Sequence, residues 1–417
     1  MNVRPQGIIE SQLVKSKLNV MEMEGKELYS VFQPIYSFSN QACIGAEALV
    51  RGRSEKTGFQ VSVNECLRVP NELTNAEFSQ RLNTLHLRNW QTSKIPNSWL
   101  FLNLDFQGVT NLSDICLGDL ITKFKMQGYE VVIEVVESEI SDEVLFEEII
   151  LVLRKLGCLI ALDDFGAGHS NVDRIWKAQP DIVKLDRGVL LEATKSLRSQ
   201  SVLRNLTKLI KEAGSVCLLE GIETKEQALL AMDVGVDLVQ GFYFARPCKT
   251  FDKLLEGQEL VKDVIESYPD YLREKAFVRG IQRKGYEAFF ASLEGLHSQE
   301  ILEEEMAKIG LLSFVKRNFV LDECGYQISD EDSSDEIIGR LEVFRKGKGL
   351  CWKNRQYFVK AMQQPDQIYV SKPYRSLIDM QLCLTISKVV RANGVIVVVC
   401  FDMAYHDKST ESVQITV

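Results

Sequence analysis

Glu47 stands inside the apolar run Cys43–Val50, and Arg51 and Arg53 follow it directly. A carboxylate there is out of place unless it does something. The pattern recurs along the chain: Asn103 in FLNLD, Glu134 and Glu137 in IEVVE, Asp163 and Asp164 in ALDDFGAG, Lys184 and Asp186 in VKLDR, Glu220 and Glu223 in LLEGIE, and Gln240 in VQGF. Each sits at or near the C-terminal end of an apolar run. Burying one unpaired carboxylate costs several kcal/mol, so burying this many together requires cations to neutralise them. Carboxylate and amide oxygens suit Mg²⁺ or Mn²⁺ rather than zinc. Singly, each residue has a plainer reading: a rim ion pair for Glu47, a helix N-cap for Asp163-Asp164, a snorkelling lysine for Lys184, a turn for Asn103. The set points to chemistry; no single member does.

The elements that must position these residues alternate. Apolar runs at Cys43–Val50, Trp99–Asp105, Glu130–Glu137, Leu159–Gly166, Ile182–Arg187, Ser215–Glu223 and Leu238–Phe244 are separated by amphipathic stretches such as Glu143–Leu156 and Ser201–Ala213. Such alternation predicts a parallel α/β sheet, and the stretch from 28 to 250 is long enough to close into a (β/α) barrel. In a barrel the C-terminal strand ends converge on one face, which would gather the polar residues. Residues 1–27 form an N-terminal segment. Residues 251–310 read as a charged helical linker, punctuated by Pro269 and by Gly280 or Gly285, with Ser298 as an N-cap and Gly310 as a stop. Residues 311–417 change pattern again, with strands expected at Phe314–Leu321, Gln367–Ser371, Leu382–Val390 and Gly394–Asp402. The acidic stretch 329–336 between them is expected to be a solvated loop.

The chain has 417 residues, 45% hydrophobic and 26% charged, which is ordinary for globular domains and calls for two or three of them. The net charge of −9 argues against binding a nucleic-acid polymer. The ten cysteines show no zinc-like spacing and the four histidines are isolated, so reduced buried thiols are expected. The N-terminus has no apolar signal core, and the longest apolar run, Gly394–Phe401, is far short of a membrane span, so a cytoplasmic protein is expected.

In order along the chain, FQPIYS (32–37), EALVR (47–51), FLNLD (101–105), IEVVE (133–137), DDFGAGHSN (163–171), DIVKLDR (181–187), EGIET (220–224) and QGFYFARP (240–247) resemble the EAL domain, the bacterial cyclic di-GMP phosphodiesterase module. The resemblance implies a TIM-like barrel that hydrolyses one phosphodiester of cyclic di-GMP to give linear pGpG. It implies two divalent ions, Mg²⁺ or Mn²⁺, held by Glu47, Asn103, Glu134 and Asp163, with Asp163 bridging to a second ion that also uses Asp164. Lys184 would position or deprotonate the attacking water or neutralise transition-state charge. Glu220 and Gln240 would complete the metal and water shell, and Glu47, Lys184 and Glu220 would be the catalytic residues. Gln33, Leu49, Arg51, Gln240 and Pro247 would contact substrate. Glu137 would pin the loop Phe165–Asn171 through Ser170, and Asp186 and Glu223 would support the ligands. Val50 stands where the family often has leucine, and IEVVE keeps both glutamates of the usual wording.

Residues 352–402 resemble PAS-like Cache sensor domains, through WKNRQYFVKA, IYVSKPYRS, CLTISKVV and GVIVVVCFDM. That resemblance implies a smaller α+β domain in which Arg355, Tyr357, Tyr374 and Asp402 line a site for an amino-acid-like small molecule. The plainer reading is a dimerisation domain with those aromatics in its core. The EAL resemblance also implies a homodimer. A second function stays open beside the enzyme: a catalytically silent cyclic di-GMP receptor acting through protein contacts.

Overall fold

The computed structural model describes residues 18–93, 95, 97–104, 112, 115, 117–136, 143–167, 172–250, 254–291, 304, 315–329, 332–333, 347–392 and 394–405. The chain divides into two compact units, Met1–Pro269 and Asp270–Val417.

The first unit holds β1 (Val20–Met23), β2 (Lys26–Ser37), β3 (Ala42–Ser54), β4 (Gln60–Val61), β5 (Trp99–Asn103), β6 (Val131–Val136), β7 (Leu159–Phe165), β8 (Ile182–Leu185), β9 (Val216–Leu219) and β10 (Leu238–Val239) in one sheet. The order β2-β10-β9-β8-β7-β6-β5-β3 closes on itself because β3 also pairs with β2. From β3 through β5 to β10 every neighbour is parallel. β2 runs antiparallel to both β3 and β10. The all-parallel barrel expected from the sequence is therefore corrected at one strand. Only Phe38–Gln41 joins β2 to β3, and a parallel crossover needs a dozen or more residues.

Strand alternation sorts the barrel into layers. Outward residues such as Leu100, Leu102, Val131, Ile133 and Ile160 pack on Phe146, Ile149 and Leu153 of the helix Glu143–Lys155. Val183, Leu185, Cys217 and Leu219 pack likewise on Leu203 and Ile210 of the helix Leu197–Glu212. The inward residues Ile35, Phe101, Val132, Ala161, Ile182, Leu218 and Leu238 fill the barrel with an apolar plug. Each fully buried aliphatic or phenyl side chain contributes roughly 1.5–3 kcal/mol. Gly45 makes that plug fit: a Cβ there would lie 2.6 Å from the Trp99 carbonyl oxygen and 3.2 Å from the Phe101 ring.

A long helix, Leu254–Ala291, runs without a break through Pro269, Gly280 and Gly285, so the expected punctuation is not there. A single interior proline removes one hydrogen bond and costs about 3 kcal/mol, which a helix of 38 residues absorbs. In the second unit, β11 (Val315–Leu321), β12 (Asp332–Ser333), β13 (Tyr369–Val370), β15 (Leu382–Ala392) and β16 (Val395–Ala404) lie in the order β12-β11-β16-β15-β13, and β14 (Tyr374–Arg375) also pairs with β15. All these pairings are antiparallel. Tyr357, Phe358 and Ala361 of the helix Gln356–Gln363 cover one apolar cluster of this sheet, and Phe290 joins the other. Part of the acidic stretch is structured after all. Ser329 is buried and accepts from the Val320 N–H at 2.8 Å, and Asp332–Ser333 pairs with β11. Ser298 and Gly310 lie outside the described residues. Among the described residues no helix is long and apolar enough to cross a membrane.

A buried polar knot fixes β2 to the helix Asn75–Ser93. His86 Nδ1 lies 2.9 Å from Ser30 Oγ, Asn89 donates to the same hydroxyl at 3.1 Å, and the Asn19 N–H donates to Asn89 Oδ1 at 2.8 Å. Burial pushes the His86 imidazole down to about 4, so the folded state keeps it neutral. Above pH 6.5 neither state is protonated and the group is silent. As the pH falls below 6.5 only the unfolded chain takes the proton, so stability is lost until the folded imidazole also titrates near pH 4. The loss is about 2 kcal/mol by pH 5. Urea denaturation at pH 7.5 and pH 5 should show His86→Gln losing less stability than wild type by that amount; equal losses would show that His86 does not control this pH dependence.

Candidate active site

Directly above the apolar plug the inward position turns polar on every strand of the ring. β2 supplies Gln33, β3 Glu47, β5 Asn103, β6 Glu134, β7 Asp163 and β8 Lys184; Glu220 and Gln240 follow β9 and β10. Gln33 and Glu47 are direct partners in the β2–β3 ladder, and Asn103 and Glu134 in the β5–β6 ladder. Seven of the strand-end residues singled out in the sequence, Glu47, Asn103, Glu134, Asp163, Lys184, Glu220 and Gln240, thus form one layer of one barrel.

Lys184 is its centre. The side chain is buried, and Nζ lies 2.5 Å from Glu134 Oε1, 2.7 Å from Glu220 Oε1, 2.9 Å from Asp163 Oδ1 and 3.9 Å from Glu47 Oε2. Glu47 is held on both oxygens: Asn103 Nδ2 donates to Oε1 at 3.1 Å and Gln240 Nε2 to Oε2 at 3.0 Å. Burial by itself would pull the Lys184 ammonium down, but the carboxylates, led by Glu134, overcome this and hold it well above its ordinary value. The acids move the other way. Burial and then Glu47 push Glu134 well up, and burial, opposed by Lys184, leaves Glu220 at about 8.

The two consecutive aspartates need a device to act together, because alternation would turn Asp164 toward the helices. The β7–β8 ladder slips between Leu162 and Phe165, so Asp163 and Asp164 together oppose Lys184. This is a β-bulge, and Asp164 carries it at φ +54°, a left-handed conformation that aspartate tolerates better than most residues. Burial first, then the charges of Asp163 and Asp186, raise the Asp164 carboxyl.

The donor set fits a hard divalent cation. It consists of carboxylate and amide oxygens, and one ammonium with three protons faces four carboxylates. Glu134 is fully buried and its Oε2 has no hydrogen-bond partner. The oxygens gather round Lys184 Nζ rather than round a separate point. Among the described residues, no three His, Cys, Asp or Glu side chains are arranged to hold an ion by themselves.

The remaining predicted residues surround this layer. Leu49 and Arg51 lie further along β3, half-buried, with Arg51 Nη1 donating to the Val50 carbonyl at 2.7 Å. Pro247 precedes Cys248, which exchanges two backbone hydrogen bonds with Phe32, the neighbour of Gln33. Asp186 caps the helix Arg187–Ala193, accepting from the Gly188 N–H at 2.7 Å. Glu223 pairs with Arg187 at 3.0 Å. Glu137 and Ser170 lie outside the described residues.

In the second unit, Tyr357, Tyr374 and Asp402 come together. The tyrosine rings are 6.1 Å apart, and Tyr374 donates to Asp402 Oδ1 at 3.3 Å. Arg355 does not reach Asp402; it lies over Trp352 at 5.6 Å and Tyr374 at 5.8 Å. The cation on Asp402 is one the sequence reading missed, Arg317, which donates to Oδ2 at 2.9 Å and also pairs with Asp379 at 2.9 Å. Its signal was visible: a charge inside the apolar run FVKRNFVL, the same anomaly as Glu47.

A family profile described as the EAL domain matches residues 17–247, more than half of the chain. The chain is 29% identical over 239 residues to the cyclic di-GMP phosphodiesterase RocR of Pseudomonas aeruginosa, covering 55% of this chain and 59% of RocR. It is 25% identical over 175 residues to the cyclic di-GMP phosphodiesterase PdeF of Escherichia coli, covering 42% of this chain and 23% of PdeF. The matched region is thus less than two thirds of either relative's length, 59% of RocR and 23% of PdeF. The Bacillus subtilis YkuI protein, solved with an EAL domain in complex with c-di-GMP and calcium, shares the fold at TM-score 0.74 and 20% identity, over 91% of this chain and 96% of that one. The polar ring of the barrel and the profile that spans it lead to one assignment: the chain belongs to the EAL domain family.

Proposed function

We propose that this chain is a divalent-metal-dependent phosphodiesterase that opens cyclic di-GMP to linear pGpG. The observation that carries the reading is the ring of carboxylates at the barrel mouth, with buried Glu134 only partly satisfied and a β-bulge that sets Asp163 and Asp164 together opposite Lys184. The names of RocR and PdeF, and the cyclic di-GMP complex of YkuI, support the same substrate.

Two ions, Mg²⁺ or Mn²⁺, would be held by Glu47, Asn103, Glu134, Asp163 and Asp164, and when bound they supply charge neutralisation at phosphorus and a water of lowered pKa. Lys184 keeps its ammonium charge and presents N–H donors beside the reacting phosphate. Glu220 Oε1, hydrogen-bonding distance from Lys184 Nζ, is the place where a proton can be held next to it. Gln33, Leu49, Arg51, Gln240 and Pro247 orient the substrate, with the Arg51 guanidinium suited to phosphate. Asp186 and Glu223 support the ligand-bearing segments. The second unit is a PAS/Cache-like sensory or dimerisation domain with Arg355, Tyr357, Tyr374 and Asp402 at its ligand site. The working protein is a cytoplasmic homodimer.

Chromatography of products should show pGpG from cyclic di-GMP with Mg²⁺ or Mn²⁺, and Glu47→Ala should reduce turnover at least about 100-fold. Tight binding with no pGpG from wild type would replace the enzyme by the receptor. Lys184→Met should also lose turnover. With chelator present it should be destabilised by roughly 3 kcal/mol in urea, because buried carboxylates then lack their counter-ion. Light scattering at micromolar concentration should give the mass of a dimer; a monomer would remove that part of the reading.

A further inference from the structure

The segment Glu220–Glu223 carries an acid of the ring yet belongs to no helix or strand. Its placement therefore depends on what clasps it. On one side the clasp is backbone. The Ile222 N–H donates to the Gln240 carbonyl at 3.2 Å, and the Tyr243 N–H donates to the Ile222 carbonyl at 2.9 Å. A Cβ at Gly241 would lie 2.1 Å from that Ile222 oxygen, so the two segments touch directly.

On the other side Gln227 Oε1 accepts from the Glu223 N–H at 2.7 Å, and a second side chain lies against the backbone of Gly221. Gly221 has φ +68°, and a Cβ there would lie 2.4 Å from Arg187 Cγ, 2.5 Å from Arg187 Cβ and 2.8 Å from Arg187 Cδ. The aliphatic stem of Arg187 thus lies flat on the Gly221 backbone, in the space a side chain would need. Its guanidinium then reaches past Gly221 to Glu223, with Nη2 3.0 Å from Oε2. Arg187 opens the helix Arg187–Ala193 three residues after Lys184, and the Glu220 N–H donates to the Leu185 carbonyl at 3.1 Å. One residue therefore spans from the strand that carries Lys184 to the segment that carries Glu220.

We infer that Arg187 is a positioning residue: it holds the Glu220–Glu223 segment so that Glu220 Oε1 stays within reach of Lys184 Nζ. The ion pair itself is half-exposed and contributes little to global stability. Its effect is local. Displacing a group in a reacting site by about 1 Å can cost up to about 100-fold in rate. The consequence for rate rests on the phosphodiesterase reading; the positioning does not.

The test uses the full chain and two readouts. Hydrogen exchange of residues 219–223, which needs no substrate, should be about tenfold faster in Arg187→Ala than in wild type, with Leu238–Val239 and the thermal midpoint unchanged. Steady-state kinetics with cyclic di-GMP should show kcat about tenfold lower with KM within twofold, recovered in part by Arg187→Lys and by the exchanged pair Arg187→Glu with Glu223→Arg. Unchanged exchange in Arg187→Ala would overturn the inference, as would faster exchange with unchanged kcat in an active enzyme. Faster exchange in a protein whose wild type makes no pGpG would leave the positioning standing and overturn only the phosphodiesterase reading.

Discussion

One buried ammonium holds the acidic layer of this barrel together. Glu134, Asp163 and Glu220 each approach Lys184 Nζ within 3 Å, and Glu47 stands just beyond. Acids this close to one another in a dry site repel strongly, and breaking such an arrangement by removing one partner costs several kcal/mol. The fold tolerates the cluster because the strands that deliver it are fixed from below. The apolar plug of Ile35, Phe101, Val132 and Ile182 gives the barrel its rigidity, and the next inward position on each strand is then delivered to the same height.

The departures from regularity are where chemistry is placed. A regular β7 would set only one residue opposite Lys184; the bulge, with Asp164 left-handed, sets both aspartates there. Backbone strain of this kind persists only where surrounding structure enforces it. Here the Asp186 N–H donates to the Phe165 carbonyl at 3.0 Å and the Ala167 N–H to the Asp164 carbonyl at 3.1 Å, closing the strand end on both sides. Gly221 and Gly241, just beyond β9 and β10, allow the Arg187 side chain and the Ile222 backbone to approach where a Cβ would hold them off.

The second unit solves a similar problem with fewer acids. One buried arginine, Arg317, meets two carboxylates, Asp402 and Asp379. The other oxygen of Asp402 accepts from Thr385 at 2.7 Å. Burial raises the Asp402 carboxyl, and Arg317 first, then the Thr385 and Tyr374 hydroxyls, act against that shift. Asp402 is thus already matched by groups of the protein itself.

The sequence by itself determined the chemical inventory. A polar residue inside an apolar run is expensive, and Glu47, Asn103, Glu134, Asp163, Lys184, Glu220 and Gln240 are legible for that reason. So is the strand–helix alternation that places them. Tertiary structure decided what one-dimensional patterns do not carry. β2 contains Pro34, which argues against an interior strand, and only ring closure against β3 and β10 makes it one. Whether Asp164 faces the mouth depended on a register slip between two strands. The partner of Asp402 depended on a contact 85 residues away in sequence, between Arg317 and Asp402. Composition and period report what each segment must bury; which buried charges meet is set by strand order and register, and those exist only once the sheet has closed.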